Sequence, residues 1–186
     1  MDYMSKVLLM ALVFGVIATM SLSSAYAASA DYFLKIEGVD GESSDDKHKD
    51  QIEILSWSWG ASNSGSMAGG GGGGAGKVSM QDFHFTHTVD KSSPKLFMAL
   101  ATGEHYKQVT LAVRKAGGDQ QDYLTFTFSD VLVTSLTSGA GAGDPVPTEQ
   151  VSLNFSKIEM EYKPQSADGT RSIPITASWD LKTNTK

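Results

Sequence analysis

The chain has 186 residues, a formal net charge of −6 and no cysteine. That length fits one domain with a core of its own. Without cysteine there are no disulfides, no thiolate-bound metals and no lipid-modified cysteine at the head of a mature chain, and the acidic balance argues against nucleic acid, whose binding needs a basic patch.

Lys6 precedes an apolar run, Val7–Met20, followed by SLSSAYAASA. These are the basic, apolar and small-residue parts of a secretory signal peptide, with Ala25-Tyr26-Ala27 placing cleavage before Ala28. The apolar run is shorter than the ~20 residues of a transmembrane helix. An uncleaved anchor and a misassigned start are the alternatives. Cleavage of residues 1–27 leaves a single domain, residues 28–186, with unchanged formal charge because Asp2 and Lys6 leave together, and with no stable membrane insertion of the mature chain.

A first strand is predicted at Tyr32–Glu37, where Tyr32, Leu34 and Ile36 alternate with Phe33, Lys35 and Glu37. Gly38–Asp50 is charged and turn-rich. Its Glu42, Asp45, Asp46 and His48 lack the register of a calcium loop, so the segment reads as a solvated loop and not a metal site. In the next strand Leu55, Trp57 and Trp59 share one face, with Ser56, Ser58 and Gly60 on the other. Each Trp could bury on the order of 150–250 Å², roughly 4–6 kcal/mol as an upper bound. Trp57 and Trp59 are therefore read as core, and Ser58 as part of a polar face, a cavity or a lumen. Ile52 and Ile54 have the opposite parity to Leu55, which predicts a β-bulge or bend.

Ala61–Lys77 is a Gly/Ser-rich loop. Gly71–Lys77 fits G-x-x-x-x-G-K, but Val78 stands where a phosphate loop needs Ser or Thr. A strand-like alternation follows, with no helix N-terminus to hold phosphate. Gly and Ser make flexible chain, yet so long a loop in a compact domain is usually functional. It has little to bury within one subunit and makes more sense ordered against a neighbour. In Lys77–Asp90, Val78 and Met80 share one parity and Phe83, Phe85 and Val89 the other, so a second bulge is predicted near Gln81-Asp82. His84 and His87 are three apart and point to opposite faces of a strand, which opposes a two-histidine metal site.

Ser93 suits a helix N-cap, Pro94 its first turn and Gly103 its stop. Leu96, Phe97, Leu100 and Ala101 form its apolar stripe, and so short a helix must pack on the sheets. Alternating strands follow through Val109, Leu111 and Val113, then Leu124, Phe126 and Phe128, with the pattern resuming at Val131 and Val133. Lys115–Asp119 turns, and Ser138–Pro147 is a second flexible loop. Val151, Leu153 and Phe155 precede Ile158, Met160 and Tyr162 after a parity switch, and Lys163–Arg171 turns. Ile173, Ile175, Ala177, Trp179 and Leu181 close the domain, with Pro174 marking an edge strand. Seven or eight strands with one helix read as a β-sandwich or partly open barrel.

Four histidines are present, none in a recognisable pair with a nucleophile, and G-x-S-x-G and H-E-x-x-H are missing. An enzyme is not expected. Many short strands with polar alternate faces leave edges that are a liability unless paired, and head-to-tail assembly into a ring would cover them.

The segments LSWSWGASNSGS, the glycine tract, AGKVSMQDF and RKAGGDQQDYL resemble the haemolysin-coregulated protein (Hcp) family, the tube-forming proteins of type VI secretion. The resemblance runs from about Asp31 to about Asn184. It implies a mainly β fold, a compact barrel or sandwich of two sheets with one short flanking helix. It also implies a homo-hexamer whose rings stack into a hollow tube, propelled by a sheath, capped by a spike protein and carrying effector proteins in its lumen, without a cofactor. Carried onto this chain, Ser58 faces the lumen. Ala61, Ser62, Asn63, Ser64, Gly65, Ser66, Met67, Gly69, Gly74 and Lys77 belong to the loop that bears on ring stacking. The leader departs from the family pattern. It predicts a secreted protein, periplasmic or extracellular, against the family's cytoplasmic pool awaiting export by the type VI machine. The alternative function is a periplasmic or surface binding module that reuses the fold.

Overall fold

The computed structural model describes residues 30–63, 77–116, 120–164 and 173–186. The leader with its cleavage site, residues 64–76 of the glycine-rich loop, residues 117–119 and residues 165–172 lie outside the described residues. The strands are β1 (Ala30–Ile36), β2 (Ile52–Ser58), β3 (Ala61–Asn63), β4 (Val78–Met80), β5 (Phe83–Thr88), β6 (His105–Lys115), β7 (Asp122–Gly139), β8 (Thr148–Tyr162) and β9 (Ile175–Asp180), with helix α1 (Ser93–Thr102) between β5 and β6. Among the described residues no helix is long and apolar enough to cross a membrane.

The main sheet runs β5-β2-β1-β6-β7-β8-β9, and β5 also pairs with β8. Six strands thus close into a barrel, and β9 is left as an extra strand on its rim. The length of β8 makes closure possible. Thr148–Leu153 pairs with β5, while Lys157–Tyr162 pairs with β9. Closure removes the two edges an open sheet would expose. The interior is filled by alternate residues, among them Leu34, Ile52, Phe83, Phe85, Val109, Leu111, Phe126, Phe128, Val131, Val151 and Leu153.

Three strands change their inward parity at one level. Val109, Phe128 and Ile158 are buried cross-strand neighbours, and so are Tyr106, Val131 and Phe155. Two residues separate the rows on every strand, and Asp130 between them has a positive φ of 52°. A switch shared by adjacent strands is a bend of the sheet, the kind that turns a corner between two layers. It accounts for the breaks in alternation after Phe128 and Phe155.

The first predicted bulge is present, but it resolves the parity conflict differently. The β2–β5 register shifts between Ile54 and Ser56. Ile52 and Ile54 stay in the core, and Leu55 is thrown outward, 58% exposed. Leu55 therefore does not share the tryptophan face. Trp57 and Trp59 are half-buried and pack against the core. The second predicted irregularity, at Gln81-Asp82, separates β4 from β5.

Helix α1 begins one residue earlier than the sequence predicts. Ser92 is the N-cap and Ser93 the first helical residue. The Ser92 hydroxyl makes no bond to the helix; its amide instead donates to Asp90 Oδ1 at 2.8 Å. Gly103 closes the helix with φ 68°, a left-handed conformation that favours glycine. The buried stripe is Leu96 and Ala99 with Leu100 beside them. Phe97 and Met98 are exposed, as is Ala101, because the helix rests on the barrel along one narrow line.

At the end of the chain, β8 is the one strand that β9 pairs with among the described residues, with a further single bridge from Asp180 to Thr185, consistent with the edge position that Pro174 predicts. Trp179 and Leu181 pack against the core, whereas Ile173 (87%) and Ile175 are exposed.

Candidate functional site

Ser58 lies on an outward face formed by four adjacent strands. Cross-strand partners point to the same side of a sheet, so the register defines its rows. One row is Ser58 on β2, His84 on β5, Ser152 on β8 and Ser135 on β7. The next is Ser56, Thr86, Gln150 and Thr137 on the same strands. Thr88, Thr148 and Gly139 continue the face beyond them. Every strand carries large apolar groups inward at the intervening positions, such as Trp57, Phe85 and Val151. Alternation alone therefore produces a wall of hydroxyls, an amide and one imidazole, free of lysine, arginine and bulky apolar side chains along these rows.

Hydrogen bonds brace this wall laterally. His84 Nδ1 and Ser152 Oγ are 2.8 Å apart. The sequence offered no histidine paired with a nucleophile, and this pair corrects that reading. Asp82, two residues before His84, accepts from Thr134 Oγ1 at 2.6 Å and Asn154 Nδ2 at 2.8 Å. The His84–Ser152 pair ties β5 to β8.

Trp57 and Trp59 anchor the strand behind Ser58. Trp57 stands at 5.3 Å from the Phe126 ring and meets Tyr32 edge-on at 6.4 Å. Trp59 meets Phe126 edge-on at 5.8 Å. These contacts hold β2 against the barrel and fix which way its serines face.

Beyond Trp59 the chain leaves the barrel as a two-stranded arm. Ala61, Ser62 and Asn63 form β3, paired with Met80, Ser79 and Val78 of β4. They are strand residues, not loop as the composition predicts, and all three are exposed. Gln81 N–H donates to the Gly60 carbonyl at 2.8 Å at the root of the arm. Lys77 is exposed at the start of β4. Ser64, Gly65, Ser66, Met67, Gly69 and Gly74 lie outside the described residues.

The charged segment Gly38–Asp50 is not the solvated loop that its composition predicts. It folds back over the outer face of β1 and β6. Arg114, 1% exposed, reaches Asp122 Oδ1 with Nε at 2.9 Å and both Asp45 carboxylate oxygens with Nη1 at 2.7 and 2.8 Å. His48 stacks flat on Phe33 at 4.3 Å, and its Nε2 lies 3.0 Å from Asp122 Oδ1. Gly41 approaches the Gln51 carbonyl so closely that a Cβ would lie 2.3 Å from it. Burial works against the Asp45 charge, but the Lys47 amide, Arg114 and the His48 amide together hold its carboxyl below the usual range. Burial also opposes the Arg114 charge, and its bonds to Asp122 and Asp45 outweigh it. A readable signal for this network is the opposite-charge pair Arg114 and Asp122 flanking one turn, a cross-strand pair in the structure.

Among the described residues no cluster of His, Cys, Asp and Glu is arranged to hold a metal ion. His84 and His87 do point to opposite faces, since Phe83, Phe85 and His87 are buried while His84 lies on the outer wall.

The family model described as "Type VI secretion system effector, Hcp" matches residues 33–162. Protein hcp1 of Pseudomonas aeruginosa strain PAO1 is 50% identical over 158 residues, which cover 84% of this chain and 98% of that protein. A solved structure described as a type six secretion system protein aligns with a TM-score of 0.79 at 34% identity, covering 84% of this chain and 99% of that one. The structure of Hcp1 from Salmonella typhimurium aligns with a TM-score of 0.69 at 38% identity, with the same coverage.

Proposed function

The chain belongs to the Hcp family of type VI secretion proteins, and from that premise we propose that it assembles into hexameric rings that stack into a hollow tube, with the β2-β5-β8-β7 face lining the lumen. The observation that carries this reading is the continuity of the polar rows Ser58–His84–Ser152–Ser135 and Ser56–Thr86–Gln150–Thr137. A wall of hydroxyls and amides gains little by being sealed against another apolar surface. It suits a water-filled channel, where it offers hydrogen bonds directly or through water to a passing protein. The arm built on β3 and β4 projects from the root of the same strand, a position suited to contact with the next ring in a stack. Effector proteins occupy the lumen, and sheath and spike proteins are the other partners in this reading.

Export tests it. The tube reading expects the protein in culture supernatant from cells with an intact contractile machine and its loss from the supernatant when that machine is removed. Export that continues without the machine would contradict it. A second reading rests on the leader, Lys6 with Val7–Met20 and Ala25-Tyr26-Ala27: a Sec-exported periplasmic or surface binding module with the same fold. A mature N-terminus at Ala28 in cells lacking the machine would favour that reading, and export wholly dependent on the machine would remove it.

A further inference from the structure

His87 points into the barrel, and its cross-strand partner on β8 is Glu149. The His87 side chain is fully buried, Glu149 is 8% exposed and Asp90 10% exposed. Imidazole Nε2 lies 3.4 Å from Glu149 Oε2, and Nδ1 lies 3.8 Å from Asp90 Oδ1. Both ring nitrogens and Glu149 Oε2 lack a hydrogen-bond partner. Unsatisfied buried polar atoms are costly and uncommon in folded proteins.

A neutral imidazole has one N–H donor and one lone pair. Facing two carboxylates, it must turn that lone pair toward one of them. The protonated ring donates from both nitrogens and answers both carboxylates. Against burial, the Thr88 backbone adds to the upward pull of the two carboxylates on the ring. The cross-strand residue on β2 is Ile54, and the Phe85 ring lies 5.5 Å away. Lys91, next to Asp90, turns its ammonium to Asp50 at 3.2 Å, and Lys95 donates to the Gly38 carbonyl at 2.7 Å. Burial pushes the His87 imidazole below its ordinary range, against the upward pull of Asp90 and Glu149.

Asp90 also organises the start of α1. Its Oδ1 accepts from the amide and the hydroxyl of Ser92, and its own amide donates to Ser93 Oγ at 3.2 Å. The neighbouring Val89 amide donates to the Pro147 carbonyl at 2.9 Å, linking this turn to the segment before β8. One oxygen, Asp90 Oδ1, thus stands between the helix start and the imidazole.

We propose that His87, Glu149 and Asp90 form an acid-sensitive latch between the barrel wall and the start of α1. A proton taken from solvent onto the imidazole leaves all covalent bonds to carbon unchanged and takes the formal charge of the three groups from −2 to −1. The imidazolium draws Asp90 Oδ1 toward Nδ1 and Glu149 toward Nε2. Ser92 loses its acceptor, and the first turn of α1 loosens while the barrel stays closed.

Hydrogen exchange read by mass spectrometry on the full chain, corrected for the intrinsic pH dependence of exchange, tests the latch. Protection of the segment Lys91–Phe97 should fall by about tenfold or more in a single transition as pH is lowered from about 7, centred below the ordinary histidine value of about 6.5 because burial depresses the His87 imidazole, with β6 and β7 unchanged. His87→Gln should make that protection independent of pH over the same range. Glu149→Gln removes one of the two carboxylates and should move the transition to lower pH, and it supplies the test if His87→Gln does not fold. Unchanged protection in the wild-type chain, an equal loss in His87→Gln, or an unmoved transition in Glu149→Gln would each overturn the proposal.

Discussion

Arg114→Ala should destabilise the fold by about 3 kcal/mol. Removing one partner of a buried ion pair costs about 3–5 kcal/mol, because the remaining charge is left buried without compensation. Here the two carboxylates left behind, Asp45 and Asp122, are 20% and 30% exposed. Water reaches both, which places the cost at the lower end of that range. Part of the loss is packing, since the guanidinium sits 5.5 Å over the Phe33 ring and the charged segment lies on Phe33 through His48. Arg114→Lys keeps the charge, but one ammonium cannot reproduce the fork that reaches both carboxylates. Losing one charged hydrogen bond should cost about 1.5–2 kcal/mol. Urea unfolding at fixed protein concentration checks both values. With a slope near 2 kcal/mol/M, the alanine variant should unfold about 1.5 M earlier, and hydrogen exchange should show Gly41–Gln51 as the first segment to open. An alanine variant within about 0.5 kcal/mol of the parent would mean that these charges act as ordinary surface pairs, and the reasoning would fail.

Trp57→Ala should cost about 2–3 kcal/mol in the same assay, less than the roughly 3–5 kcal/mol of a sealed tryptophan because Trp57 is half-buried. Leu55→Ser should stay within about 0.5 kcal/mol, since the bulge leaves Leu55 in solvent; a loss near that of Trp57→Ala would return it to the core. Ser58→Gln should leave the unfolding midpoint unchanged and alter retention of co-expressed effector proteins, whereas an unfolded variant would show the face assignment to be wrong. Stability should also fall on acidification through His87. Its folded-state pKa lies below the ordinary value, so the unfolded chain takes the proton first. Its contribution is complete above about pH 6.5 and is lost as pH drops through the lower folded-state value. Urea midpoints that do not change between about pH 7 and pH 5, once compared with His87→Gln, would contradict this.

What could be read in the chain depended on how local its cause was. Alternation placed Ser58 opposite Trp57, and Pro94 with Gly103 bracketed α1, because each depends on a few neighbouring residues. Leu55 was misplaced because parity reveals that a bulge exists but not which residue it ejects; pairing with β5 decides that. The stripe of α1 includes Ala99 and excludes Phe97 because the line of contact with the barrel depends on how the helix docks. The Arg114 network joins positions 45, 48, 114 and 122, and the His87 cluster joins 87, 90 and 149. Within each, one pair is local, Arg114 with Asp122 across a turn and His87 with Asp90 three apart, whereas Asp45 and His48 in the one and Glu149 in the other are brought in only by the fold. The polar wall lies between these cases. Each strand's alternation was legible, while the order β2-β5-β8-β7 that turns four alternations into one face is a property of the closed barrel.

The most direct test of the account is the native mass of the purified full chain at micromolar concentration, measured by light scattering or native mass spectrometry. The account predicts a particle of six copies. A monomer under those conditions would contradict it and leave the fold without the ring.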